Sequence, residues 1–86
     1  MKLKKEIYIY GIEYLDESVI DEAKKLFRRC YSGNNCYVIG ATNDRKNIIV
    51  ESMFPDDGPF YFKIDLELNS VSQSFNSIME LEKSII

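Results

Sequence analysis

The most regular pattern in the chain is an alternation of apolar and mostly polar positions in the segment Phe60-Tyr61-Phe62-Lys63-Ile64-Asp65-Leu66-Glu67. Successive side chains of a strand point to opposite faces of a sheet, so this segment predicts a strand with one buried face. Shorter alternating or apolar segments predict further strands at 5–12, 36–41 and 48–54, and a short fifth strand at 71–75. Polar or Pro- and Gly-containing turns separate the later strands.

Between the first two strands the apolar spacing changes to that of a helix. Val19, Ala23, Leu26 and Cys30 recur three or four residues apart. Acidic residues crowd the start of this segment and basic residues its end, which complements the helix dipole. The run 16–18 offers N-cap residues, Ser18 and Asp21 form a variant of the capping box, and Gly33 is a natural stop.

The chain ends with a second predicted helix. Asn76 or Ser77 can cap this helix, and Ser77 and Glu80 have the spacing of a capping box. Ile78, Leu81 and Ile85 fall on one side of it. The alternative is one continuous helix over residues 69–86, which the serines of 70–77 disfavour because Ser prefers caps and turns to helix interiors.

These elements predict one small α+β domain over residues 1–86. Strands joined by short turns are antiparallel, so we expect an antiparallel sheet of four to five strands with two helices on one face. The expected order is β-α-β-β-β-(β)-α. We also expect the helical stripe around Phe27 to pack against the alternating strand at 60–66.

The composition favours a binding protein over an enzyme. The chain has no histidine, which is the usual general base and a common metal ligand, so we expect no catalytic residues, no metal site and no cofactor. Its two cysteines, Cys30 and Cys36, predict reduced thiols in a cytoplasmic protein rather than a disulfide framework. Because Cys30 lies on the helical stripe, we expect it to be the more buried thiol.

Charge is distributed unevenly along the chain. The formal net charge is −3; residues 1–50 carry +2, and residues 51–86 carry −5. Residues of the acidic half and tyrosines of the sheet are the candidates for binding a partner, namely Tyr8, Tyr10, Tyr37, Glu51, Asp56, Asp57, Tyr61, Asp65 and Glu67. Acidic residues among the aromatic ones disfavour nucleic acid, and no apolar run has the ~20 residues of a membrane span.

The function that this pattern favours is neutralisation of a partner protein with a basic surface. A toxin-immunity protein or a phage-type inhibitor of a host defence nuclease has this size, acidity and lack of catalytic residues. The alternative is a regulatory or ligand-binding subunit of a larger assembly, or a homodimer formed through a sheet edge.

Overall fold

The computed structural model describes residues 9–32, 34–43, 46–53 and 58–85. Within these ranges the elements follow the expected order, with a 3-10 turn at Ile12–Tyr14 before the first helix. The strands and helices are β1 (Ile9–Gly11), α1 (Glu17–Cys30), β2 (Tyr37–Thr42), β3 (Ile48–Ser52), β4 (Phe60–Asp65), β5 (Ser70–Val71) and α2 (Ile78–Ile85). The predicted stop at Gly33 lies outside the described residues.

The strands of the described residues form one five-stranded antiparallel sheet in the order β1-β2-β3-β4-β5. The predicted α+β class, the antiparallel sheet and the order of elements are therefore confirmed. The last part of the chain is a strand followed by a helix, so the single helix over 69–86 does not form. Ser77 starts α2 as predicted, because its Oγ accepts a hydrogen bond from the Glu80 amide at 3.1 Å.

The main core lies between α1 and one face of the sheet. Ala23, Leu26 and Phe27 of α1 are buried there with apolar residues of β2, β3 and β4. The rings of Phe27 and Phe62 meet edge to face with centroids 4.9 Å apart, a favourable geometry for aromatic pairs. This contact confirms the predicted packing of the helical stripe against the alternating strand.

The capping expected at the start of α1 takes another form. Asp16 is the N-cap residue, its side chain makes no capping hydrogen bond, and Ser18 lies within the helix. The Ser18–Asp21 pair therefore does not form a capping box, because the helix begins two residues earlier than that pairing requires.

Buried apolar side chains lie on both faces of the sheet. Ile48 and Val50 belong to the cluster beneath α1, but Ile49 points to the other face and is also fully buried. Leu81 of α2 is fully buried outside that cluster, and α2 contacts β4. The physical reason is that the apolar run of β3 presents aliphatic side chains on both faces, so both faces need a cover.

The alternation along β2 is interrupted by a β-bulge. Val38 pairs with Val50, but the next pair joins Gly40 to Ile49, which leaves Ile39 as an extra residue. An extra residue in one strand reverses the side on which all later residues of that strand point.

The bulge changes the predicted faces of β2. Strict alternation along the predicted strand at 36–41 places Tyr37, Ile39 and Ala41 on one face, whereas Ala41 is buried with Val38 in the core beneath α1. The bulge brings Gly40 against the neighbouring strand, where a Cβ atom would collide with the carbonyl oxygen of Tyr10. Glycine is thus needed for the close approach of β1 and β2.

The burial of the two cysteines is the reverse of the expectation. Cys36, just before β2, is buried with 5% of its surface exposed, whereas Cys30 is exposed; both are free thiols. The buried stripe of α1 ends at Phe27, and the helix itself ends at Cys30. Tyr31, one residue later, packs against Phe62 instead, with ring centroids 5.2 Å apart.

Candidate protein interface

Three of the predicted binding residues lie side by side on one face of the sheet. Tyr37 of β2 pairs with Glu51 of β3, and Glu51 pairs with Tyr61 of β4. An isolated bridge then places Phe75 beside Tyr61. We call these four residues, of which all but Glu51 are aromatic, the aromatic row. Their neighbours along β2, β3 and β4 belong to the cluster beneath α1, so the aromatic row lies on the opposite face.

A hydrogen bond fixes the centre of the aromatic row. The Tyr61 hydroxyl donates to Oε2 of Glu51 at 3.2 Å. Partial burial raises the pKa of Tyr61, and the hydrogen bond and negative charge of Glu51 raise it further. The phenol is therefore protonated at neutral pH, and it keeps its role as the donor.

Two large side chains in or next to the aromatic row are exposed. Tyr37 is 70% exposed, and Met53, directly after β3, is 61% exposed. Tyrosine combines a large apolar area with one polar tip and few rotatable bonds, and it is enriched in protein interfaces. Methionine adapts its shape to a partner's surface.

A lysine stands at the β5 side of the aromatic row. The ammonium of Lys63 lies 5.7 Å from the centre of the Phe75 ring, within the range of a cation–π contact. The amide of Lys63 donates to the Ser72 hydroxyl at 2.9 Å, which ties β4 to the segment that carries Phe75. The aromatic row therefore has a negative group at its centre and a positive group at its border.

The remaining described candidates lie elsewhere. Tyr10, Asp65 and Glu67 line a cavity at the other end of the sheet. Asp65 is four residues from Tyr61 along β4, which is ~13 Å at the usual rise of a strand. Its Oδ1 accepts a hydrogen bond from the Leu68 amide at 3.1 Å and so stabilises the turn after β4. Of the acidic candidates that the structure describes, Glu51 lies in the aromatic row, whereas Asp65 and Glu67 line the cavity.

Three further candidates, Tyr8, Asp56 and Asp57, lie outside the described residues. Conversely, sequence reasoning missed Phe75 and Met53 as neighbours of the site. The predicted strand at 71–75 includes Phe75, but only the bridge between Phe75 and Tyr61 shows that it continues the row begun by Tyr37 and Glu51.

Comparison with known proteins adds no relative: no family model, no curated protein and no solved structure matches this chain. Among the described residues, no helix has both the length and the apolar character needed to cross a membrane.

Proposed function

We propose that this chain is a small non-enzymatic protein that binds a partner protein through the aromatic row and thereby neutralises it. The observation that carries the proposal is the exposure of Tyr37 beside the hydrogen-bonded pair of Glu51 and Tyr61. A rigid sheet holds these side chains in register before binding. Less conformational entropy is then lost when a partner docks.

The chemistry of the surface favours a partner with a basic face. Glu51 lies at the centre of the aromatic row, where a carboxylate repels phosphate groups and attracts a lysine or arginine. The net charge of −3 acts in the same direction at longer range. Toxins and defence nucleases that bind nucleic acid have such basic surfaces, and a cytoplasmic immunity protein or phage-type inhibitor is the class that fits best.

The alternative is a regulatory or ligand-binding subunit. It is favoured by a different feature, the cavity lined by Tyr10, Asp65 and Glu67 at the opposite end of the sheet. The two candidates use separate surfaces, so experiments on one do not disturb the other.

Site-specific photo-crosslinking tests the proposed interface. Tyr37 is replaced by the photoreactive residue benzoylphenylalanine, and the protein is irradiated in a lysate of cells that naturally encode it. Lys25, exposed on α1 and thus on the other side of the sheet, provides the matched control position. We expect one defined protein adduct from position 37 and none from position 25. Equal adducts from both positions, or none from position 37, would contradict the proposal.

The captured partner then allows a quantitative test. Tyr37→Ala removes a large exposed anchor, so we expect the dissociation rate to rise by about tenfold or more, as at an interface hot spot. Lys25→Ala should leave the rate unchanged. Surface plasmon resonance measures both, and unchanged dissociation in Tyr37→Ala would show that the partner docks elsewhere.

A further inference from the structure

The cavity between α1 and the sheet has features of a small-molecule site. It has a volume of about 580 Å³, within the ~300–1,000 Å³ typical of ligand pockets. It lies where the N-terminus of α1 meets the last residues of β2 and β4 and the first of β3, at the opposite end of these strands from the aromatic row.

The walls of the cavity are apolar because they consist of core side chains that no bulky ring covers at this end of the sheet. At the other end, the rings of Phe27, Tyr31 and Phe62 fill the space between α1 and the sheet, with centroids 4.9–5.2 Å apart. Here the facing residues are smaller: α1 contributes Val19, and β2 contributes Ala41. The apolar wall comprises Tyr10, Leu15, Val19, Ala41, Ile48, Ile64 and Leu66.

The charged lining is predominantly negative. Among the described residues that line the cavity, Asp16, Asp65 and Glu67 are acidic and Lys46 is basic. The Asp16 side chain makes no capping hydrogen bond to α1, and one oxygen of Asp65 is engaged by the Leu68 amide. Among the described residues of the lining, acidic side chains therefore outnumber basic ones by three to one.

We propose that this cavity binds a small organic cation, with an apolar body against the aliphatic wall and a protonated amine toward Asp65 and Glu67. A free small molecule fits better than a lysine of a partner protein, because one side chain would fill only a fraction of 580 Å³. This ligand-binding activity is separate from the proposed protein interface and does not depend on it.

Three probes with the same carbon chain separate the apolar and charged contributions: hexylammonium, hexanol and hexanoate. Binding is followed by amide chemical shifts in two-dimensional NMR, which locate the site and yield the dissociation constant Kd. We expect hexylammonium to bind more tightly than hexanol by about 3-fold or more, as two exposed charge pairs would provide, and hexanoate to bind most weakly. The largest shifts should fall on Val19, Ile48 and Leu66.

Charge-neutral variants assign the preference to the carboxylates. In the double variant Asp65→Asn, Glu67→Gln, the shape is retained, and the side-chain amide introduced at position 65 still offers an oxygen to the Leu68 amide. We expect the Kd of this variant for hexylammonium to approach that for hexanol, while the Kd for hexanol stays unchanged. Glu80→Gln, exposed on α2 away from the cavity, is the control with one charge removed and should keep the preference.

Several results would overturn the proposal. These are equal affinity for the three probes in the unaltered protein, shifts centred on the aromatic row instead of the cavity, a preference that survives in the double variant, and no saturable binding of hexylammonium. None of them bears on the crosslinking experiment at Tyr37, so the two proposals fail or succeed separately.

Discussion

At the scale of single residues, the two cysteines have contrasting environments. Cys36 is buried before β2, and burial raises the pKa of its thiol to about 11, although the positive charge of Lys24 acts in the opposite direction. Cys30 is exposed at the end of α1. Because the thiolate is the reactive form, Cys36 is protected in two ways in the folded protein. Its thiol stays protonated, and reagents cannot reach it.

This contrast predicts selective alkylation. With iodoacetamide at pH 8, we expect the folded protein to gain one adduct quickly, on Cys30, and the second at least about tenfold more slowly, because a thiol with a pKa of about 11 is almost entirely protonated at that pH. Mass spectrometry of peptides locates the adducts, and the unfolded protein in guanidinium, with both sites equally reactive, is the control. Rapid labelling of Cys36 in the folded state would contradict its burial.

At the scale of elements, the contact between α1 and β4 holds the main core together. Phe27 and Phe62 are both fully buried, and Tyr31 extends their contact while its hydroxyl donates to the Ser72 carbonyl at 2.9 Å. One aromatic cluster therefore links the helix to the strand and to the segment that follows β5.

Removal of one ring from this cluster should weaken the whole fold. We expect Phe27→Ala to lower the free energy of unfolding by about 3–5 kcal/mol, because the cavity left in a small core cannot collapse fully. Urea denaturation measures the loss. Arg28→Ala, at an exposed neighbouring position, is the matched control and should change stability by no more than about 0.5 kcal/mol. Near-normal stability of Phe27→Ala would show that the ring is not the centre of the core.

The same scale shows why some elements could be predicted and others could not. The alternation of β4 and the stripe of α1 depend on local periodicity, which the sequence displays directly. The bulge at Ile39 depends on how β2 pairs with β1 and β3, and the burial of Ile49 depends on what packs against the second face of the sheet. Such contacts join distant parts of the chain, so local patterns do not specify them.

For the candidate site, too, local patterns predicted the residues but not how distant strands bring them together. Tyr37, Glu51 and Tyr61 could be selected as a tyrosine- and acid-bearing sheet face, but their alignment in one row depends on the register of three strands. Asp65 and Glu67 continue the alternation of β4, which is why the sequence grouped them with this surface. The strand ends at Asp65, whose carboxylate closes the following turn, and this separates them from the row.

At the scale of the whole molecule, the perturbed groups make folding sensitive to alkaline pH. Burial is the first cause of the raised pKa values of Cys36, Tyr31 and Tyr61, and Cys36 moves from 9.0 to about 11. Above pH 9 the unfolded chain loses the Cys36 proton while the folded chain retains it, so the unfolded state binds fewer protons and stability falls as pH rises.

We therefore expect the free energy of unfolding to be unaffected by these groups below pH 9 and to decrease between pH 9 and 11, with the two tyrosines contributing above pH 10. Urea denaturation at a series of pH values measures the profile. Cys36→Ala removes the thiol and should flatten the part of the profile that begins at pH 9. A stability that stays constant up to pH 11 would contradict the raised pKa values.

The order of strands in the sheet also affects which parts of the fold form first. Residues 43–47 join β2 to β3 and residues 53–59 join β3 to β4, whereas β1 pairs with β2 only across the whole of residues 12–36. Closing a longer loop costs more entropy, so the hairpins of β2, β3 and β4 have the advantage in forming first. Tyr37, Glu51 and Tyr61 all lie on these strands, so we expect these three members of the aromatic row to come together early. Phe75 joins them only after β5, and the cavity is complete only when β1 and the start of α1 have joined the sheet.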